Sequence, residues 1–148
     1  MSKLADVVAY IADRYPHKSE LSKARVTKLV YLSDWKSVQA GKGQLTEIKW
    51  YFHNFGPYVD DVIDAARRDP RLKVVSTRNA YGDMKEELQY SGTGENGSRL
   101  TSREKEILNA VIEDTRGLYW KGFIKHVYDT PPIKKSQRYT FLTLDSFV

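Results

Sequence analysis

Apolar residues return at the helical period through the first fifteen positions. Leu4, Val7, Val8, Ile11 and Tyr15 share one face, which predicts a helix over 3–15 stopped by Pro16. A second helical pattern, 22–40, is broader: Leu29, Val30 and Val38 mark one side, and Tyr31, Leu32 and Trp35 widen it. A stripe that wide predicts a central helix packed by several neighbours. Ser22 or Ser19 can cap its start, and Gly41 and Gly43 end it. The period then drops to two. In EIKWYFHN, Ile48, Trp50 and Phe52 alternate with Lys49, Tyr51 and His53, as in a half-buried strand.

Asn54-Phe55-Gly56-Pro57 breaks that alternation. Proline suits a first helical turn, so the pattern predicts a helix from Pro57 to about Arg68, with Tyr58, Val59, Val62, Ile63 and Ala66 on its apolar side. Asp60 and Asp61 fall where its dipole favours negative charge. Residues 72–78 and 84–90 read as a β-hairpin turning near Asn79-Ala80-Tyr81-Gly82-Asp83, and 91–98 reads as a loop. Thr101-x-x-Glu104 is a capping box opening a helix over 101–116. Gly117 separates it from a mostly apolar helix, 118–128, which Pro131-Pro132 is expected to end. Tyr139–Leu144 is one more extended piece. The expected fold is α+β: a mainly helical single domain over 1–148, with about five helices and a small antiparallel sheet.

A chain of 148 residues is the size of one domain with a real hydrophobic core. Its 41% hydrophobic and 29% charged residues are those of a soluble globular protein. No apolar run is long enough for a transmembrane helix, so no membrane partner is expected. The first residues lack the apolar core of a signal peptide, and cysteine is absent, which together suggest a cytoplasmic protein. The formal net charge is +5. It is spread over Lys23/Arg25/Lys28, Arg67/Arg68/Arg71 and Lys134/Lys135/Arg138, groups that read mainly as solvated faces.

Catalytic patterns are missing. His17, His53 and His126 make no metal-ligand spacing, so neither a zinc site nor another cofactor is expected. His53 reads as a polar strand-edge residue rather than a base. No phosphate loop and no serine-nucleophile motif occurs. Glu86/Glu87 and Asp60/Asp61 are adjacent pairs that do not converge on one point. An enzyme is not the expectation. The helix pair 101–116 and 118–128, with Lys121, Lys125 and His126 toward phosphates, raises a winged-helix-like DNA-binding regulator as the alternative. Against it, Tyr119, Trp120, Phe123 and Ile124 leave little polar face on the second helix, and the hairpin turn is not basic.

Residues 26–69, VTKLVYLSDWKSVQAGKGQLTEIKWYFHNFGPYVDDVIDAARRD, resemble the SocA-like antitoxin family, the Panacea domain. The residues that carry the resemblance are Lys28, Leu29, Tyr31, Leu32 and Asp34, then Gly43, Leu45 and Thr46, then Trp50, Tyr51, Phe55, Gly56, Pro57 and Tyr58. The bulky Trp35-Lys36 after YLSD, and Phe55 where tyrosine is commoner, depart from the family pattern in ways that bear on the partner rather than the fold. The hairpin and the closing helix near YDTPP extend the likeness over most of the chain.

The resemblance implies a binding protein. Members act as antitoxins in bacterial or phage toxin–antitoxin systems and neutralise a cognate protein toxin by direct contact. Some act as adaptors that hand a toxin to a protease unfoldase. On this reading Lys28, Leu29, Tyr31, Gly56 and Pro57 are structural, while Trp50 and Phe52 belong to the core. Tyr51, His53, Phe55 and Tyr58 are the candidate partner-binding residues, with Trp35 and Trp120 completing the set. Aromatic side chains suit such a surface because they offer large contact area at small entropic cost.

Overall fold

The computed structural model describes residues 3–78, 80–91 and 98–148, and arranges them around one long helix. That helix, α2 (Lys23–Gln39), follows α1 (Lys3–Arg14) and a short 3-10 turn, Lys18–Glu20. Its start is capped by Ser22, whose Oγ accepts the Arg25 N–H at 3.2 Å. Every residue from Arg25 to Trp35 is buried, so α2 is covered on all sides, as a stripe too broad for one face requires.

The remaining elements pack on it. A small hairpin, β1 (Phe52–His53) and β2 (Gly56–Pro57), leads into α3 (Asp61–Arg68). The larger hairpin, β3 (Leu72–Arg78) and β4 (Met84–Tyr90), pairs Leu72 with Tyr90 through to Arg78 with Met84. The Leu88 N–H donates to the Leu21 carbonyl at 2.8 Å and anchors β4 to the entrance of α2. Then come α4 (Ser102–Thr115), α5 (Trp120–Tyr128), the single-turn α6 (Pro131–Lys134) and a terminal 3-10 turn, Leu144–Phe147. Both halves of the Thr101/Glu104 capping box are made. This is the expected mainly helical α+β architecture. The expected turn residue Asn79 and loop residues 92–97 lie outside the described residues.

Five expectations need correction. Pro57 does not open a helix: Phe52 pairs with Pro57, and the Tyr58 N–H donates to the Tyr51 carbonyl at 3.0 Å. These pairings keep 56–58 extended, and α3 begins only at Asp61. The strand over 47–54 shrinks to the two residues of β1 because its pairing partners are few. Its alternation survives in burial: Ile48, Trp50 and Phe52 are buried and Lys49 and His53 exposed. Pro131 and Pro132 start α6 rather than merely ending α5, since proline fits a first helical turn. The basic groups are not all solvated, for Arg25, Lys28 and Arg71 are buried.

The expected extended piece over Tyr139–Leu144 is largely replaced by a turn, with Tyr139 at φ +71° and only Phe141 bridging to Tyr51, but the tail still finds its partner far back in the chain. Phe52 N–H donates to Thr140 O at 2.9 Å, Tyr139 N–H to Phe52 O at 2.6 Å, and Leu142 N–H to Trp50 O at 2.8 Å. Leu142 and Leu144 are thereby buried in the same core as Trp50.

Candidate partner-binding surface

The small hairpin owes its shape to Gly56. Its φ of +106° belongs to glycine, and a Cβ there would come within 3.3 Å of the Tyr128 ring and 3.4 Å of Lys28 Cε. Asn54 and Phe55 form the turn, and Phe55 is left 80% exposed. Beneath them Trp50 is fully buried, edge-on to Tyr31 at 5.5 Å, with its indole N–H donating to Asp34 at 2.9 Å. The tip therefore stands on a rigid base.

One side of the hairpin carries a cluster of rings. Tyr51 meets Phe141 at 5.1 Å and His53 at 5.9 Å; His53 in turn lies 6.4 Å from Tyr139 and 6.5 Å from Tyr58. All four contacts are edge-on, the arrangement aromatic quadrupoles favour. The tail residues are locked in place: the Tyr139 hydroxyl donates to Asn54 Oδ1, and Arg138 Nε to Asn54 O at 3.1 Å. Phe141 and Tyr139 remain largely exposed.

Beside the tip run two grooves that share Ala24, Lys28 and Phe55. The first, about 490 Å³, lies between Phe55 and the Trp120, Ile124 and Tyr128 side chains of α5, with Lys121 and Lys125 on its rim. The second, about 540 Å³, runs past His53 and Tyr58 toward Lys23, Asp60, Lys85 and Glu86. The position of α5 is set by Arg25. Its guanidinium donates to Thr115 O and Leu118 O at the turn between α4 and α5, and stacks 4.3 Å over Phe123. Lys28 forms the common floor. It is 2% exposed and, among the described residues, makes no hydrogen bond or ion pair. Burial pushes its ammonium down to about 8.

The candidate residues thus divide. Phe55 and His53 are exposed, Tyr51 and Tyr58 half-buried, and Trp120 is 47% exposed on α5. Trp35 stands apart: it is 5% exposed, packed in the core, and shares neither groove. Leu29 and Tyr31 are core, Gly56 and Pro57 form β2, and Lys28 is the residue whose structural assignment the geometry complicates. Sequence reasoning missed Tyr139, Phe141, Tyr119 and Tyr128. Strand alternation was the available signal for Phe141, which faces away from buried Leu142, whereas Tyr139 sits in a turn at φ +71° that no alternation marks.

Among the described residues no three His, Asp or Glu side chains gather to hold a metal ion, and no helix is long and apolar enough to cross a membrane. What this region offers is rigid aromatic area, cationic charge and two open grooves. The family described as Antitoxin SocA-like, Panacea domain, matches residues 26–132, a span that holds most of α2, both hairpins, α5 and most of the surface just described. No curated protein and no solved structure matches the chain.

Proposed function

Since the chain belongs to the SocA-like antitoxin family, whose Panacea domain spans residues 26–132, we propose that it neutralises a cognate protein toxin by direct, stoichiometric contact. The surface proposed for that contact is the one around the 50–58 hairpin and α5. The observation that carries the choice is Phe55, a large apolar ring 80% exposed at the tip of a hairpin whose base is buried. Exposed apolar residues gathered on a rigid frame mark interaction sites, because binding removes them from water with little further ordering. Tyr51, His53, Tyr58 and Trp120 extend the patch, and Tyr139, Phe141 and Tyr119 enlarge it. The absence of cysteine suits action in the cytoplasm. The same contact serves an adaptor that delivers the toxin to a protease unfoldase; a shortened toxin half-life in cells marks that mode, and an unchanged one marks plain occlusion.

The test is growth rescue by co-expression with the toxin that co-purifies with the chain, followed by affinity measurement on the purified pair. Phe55→Ala should weaken the complex by about tenfold or more. Its melting temperature should stay near that of the parent, because the ring touches little of the core. A folded Phe55→Ala chain that binds and rescues normally removes this surface from the proposal.

One observation favours a second reading, the DNA-binding regulator: Lys121, Lys125 and His126 of α5 are all exposed after the turn from α4. It predicts duplex binding that falls steeply with salt. Weak binding with a flat salt response disposes of it.

A further inference from the structure

Six charged residues are buried among the described residues, and five have partners. Arg71 donates to both Asp6 and Asp69 through contacts of 2.8–3.0 Å. Arg25 donates to Tyr15, Thr115 and Leu118, and Asp34 accepts from Gln44, Thr46 and Trp50. Lys28 is the exception. Its stem is buried, while its ammonium keeps access to the groove and takes no acceptor from the described residues.

Its surroundings define the missing group. Lys28 lies on the floor of the groove between Phe55 and α5, and no carboxylate lines that groove: its charged side chains are Lys28, Lys121 and Lys125. Lys125 is occupied by Asp129 at 2.8 Å, whereas Lys121 has no partner among the described residues. The occupant is therefore anionic. Its walls, Phe55, Trp120, Ile124 and Tyr128, are aromatic or aliphatic, so it is also apolar beside its charge. A phosphate needs several converging donors. Here the floor supplies one ammonium, which matches a single carboxylate. Gly56 leaves the space: a Cβ there would crowd the Tyr128 ring at 3.3 Å and touch Lys28 Cε at 3.4 Å.

We propose that Lys28 receives one carboxylate of the partner protein, an aspartate or glutamate whose apolar neighbours pack between Phe55 and α5. The proposal rests on the protein-binding reading above and names the chemistry of its anchor. A charge-assisted bond formed at the groove floor is worth more than one at the rim once the partner's apolar side chains cover it, because less solvent then screens it. Burial that holds the free ammonium down to about 8 is the cost that the incoming carboxylate relieves.

Random peptides displayed and selected on the full chain provide the test. Enriched peptides are resynthesised and titrated against the parent, Lys28→Met and Phe55→Ala. Each peptide should contain an acidic residue whose amide replacement weakens binding by about tenfold or more. Lys28→Met should weaken it equally, and the two changes together no further. Lys28→Met should also melt no lower than the parent, since methionine fills the space without a stranded charge. That result separates a binding role from a structural one, under which the variant would lose stability. Peptides that bind Lys28→Met undiminished, a selection that enriches none, or displacement of the peptide by millimolar inorganic phosphate or ATP would each overturn the proposal. Growth rescue by the parent chain tests the neutraliser reading without reference to Lys28, so either can fail alone.

Discussion

Asp34 sits mid-way along α2, fully buried, and binds the segment that leads to the hairpin. Oδ1 accepts the Thr46 N–H at 3.0 Å; Oδ2 accepts the Thr46 hydroxyl at 2.6 Å, the Trp50 indole at 2.9 Å and the Gln44 amide at 3.3 Å. Burial pushes its carboxyl up to about 6, with the bonds from Thr46 and Trp50 acting in the opposite direction. The native state therefore holds this proton more tightly than the unfolded chain. The resulting stability is fully present below the ordinary carboxylate value and is lost as pH rises through about 6. Taking the pH from 7 to 5 should add about 1 kcal/mol to the unfolding free energy through this group. Asp34→Asn should lack that increment in paired urea titrations. Parallel pH profiles for the two chains would show that Asp34 does not titrate in this range. Lys28, six residues earlier on the same helix, shows the opposite economy: a buried charge left unmet within the fold.

At the scale of elements, the small hairpin depends on one backbone conformation. Gly56→Ala places a Cβ at φ +106° and 3.3 Å from the Tyr128 ring. Strain in that region should cost about 2 kcal/mol, read as a lowered denaturation midpoint. It should also weaken partner binding, because Phe55 and Tyr128 border the same groove. A chain of unchanged stability would mean that the hairpin relaxes without loss. The larger hairpin, by contrast, followed from local signals alone: the two strands expected either side of a glycine-containing turn pair antiparallel, Leu72 with Tyr90 through to Arg78 with Met84. The helices did too, where a cap or a stripe marked them, as at Ser22 and Thr101. Pro57 misled because a Gly-Pro step serves a helix start and a hairpin return alike, and only pairing with Phe52 selects the second.

For the whole molecule, the decisive contact joins the C-terminal tail to a segment some ninety residues earlier. The tail from Tyr139 pairs with Trp50–Phe52 and buries Leu142 and Leu144. Ending the chain before Tyr139 should cost roughly 3 kcal/mol or more from those two leucines. The truncated chain should show a lower melting temperature and a weakened partner complex, since Tyr139 and Phe141 leave with the tail. A truncated chain with the parent's melting temperature would show that the tail contributes no stability. The charge balance also changes at this scale. Arg25, Lys28 and Arg71 are inside, so part of the +5 holds the fold together or floors a groove instead of facing solvent.

The sequence by itself determined the class of fold, the central helix, the larger hairpin, the capping box and the family, because period, caps and short motifs are local and survive without knowledge of what packs where. It also identified Phe55, His53, Tyr51 and Tyr58 as ring-bearing positions around a Gly-Pro step. Only the tertiary structure decided which rings face water, since burial depends on partners distant in the chain: Trp35 went to the core, and Tyr139 and Phe141 came from the far end to meet Tyr51 and His53. It alone revealed Lys28 as a buried cation without a counter-charge, because whether a lysine is paired is set by what the fold brings within reach of its ammonium, and no pattern along the chain records that.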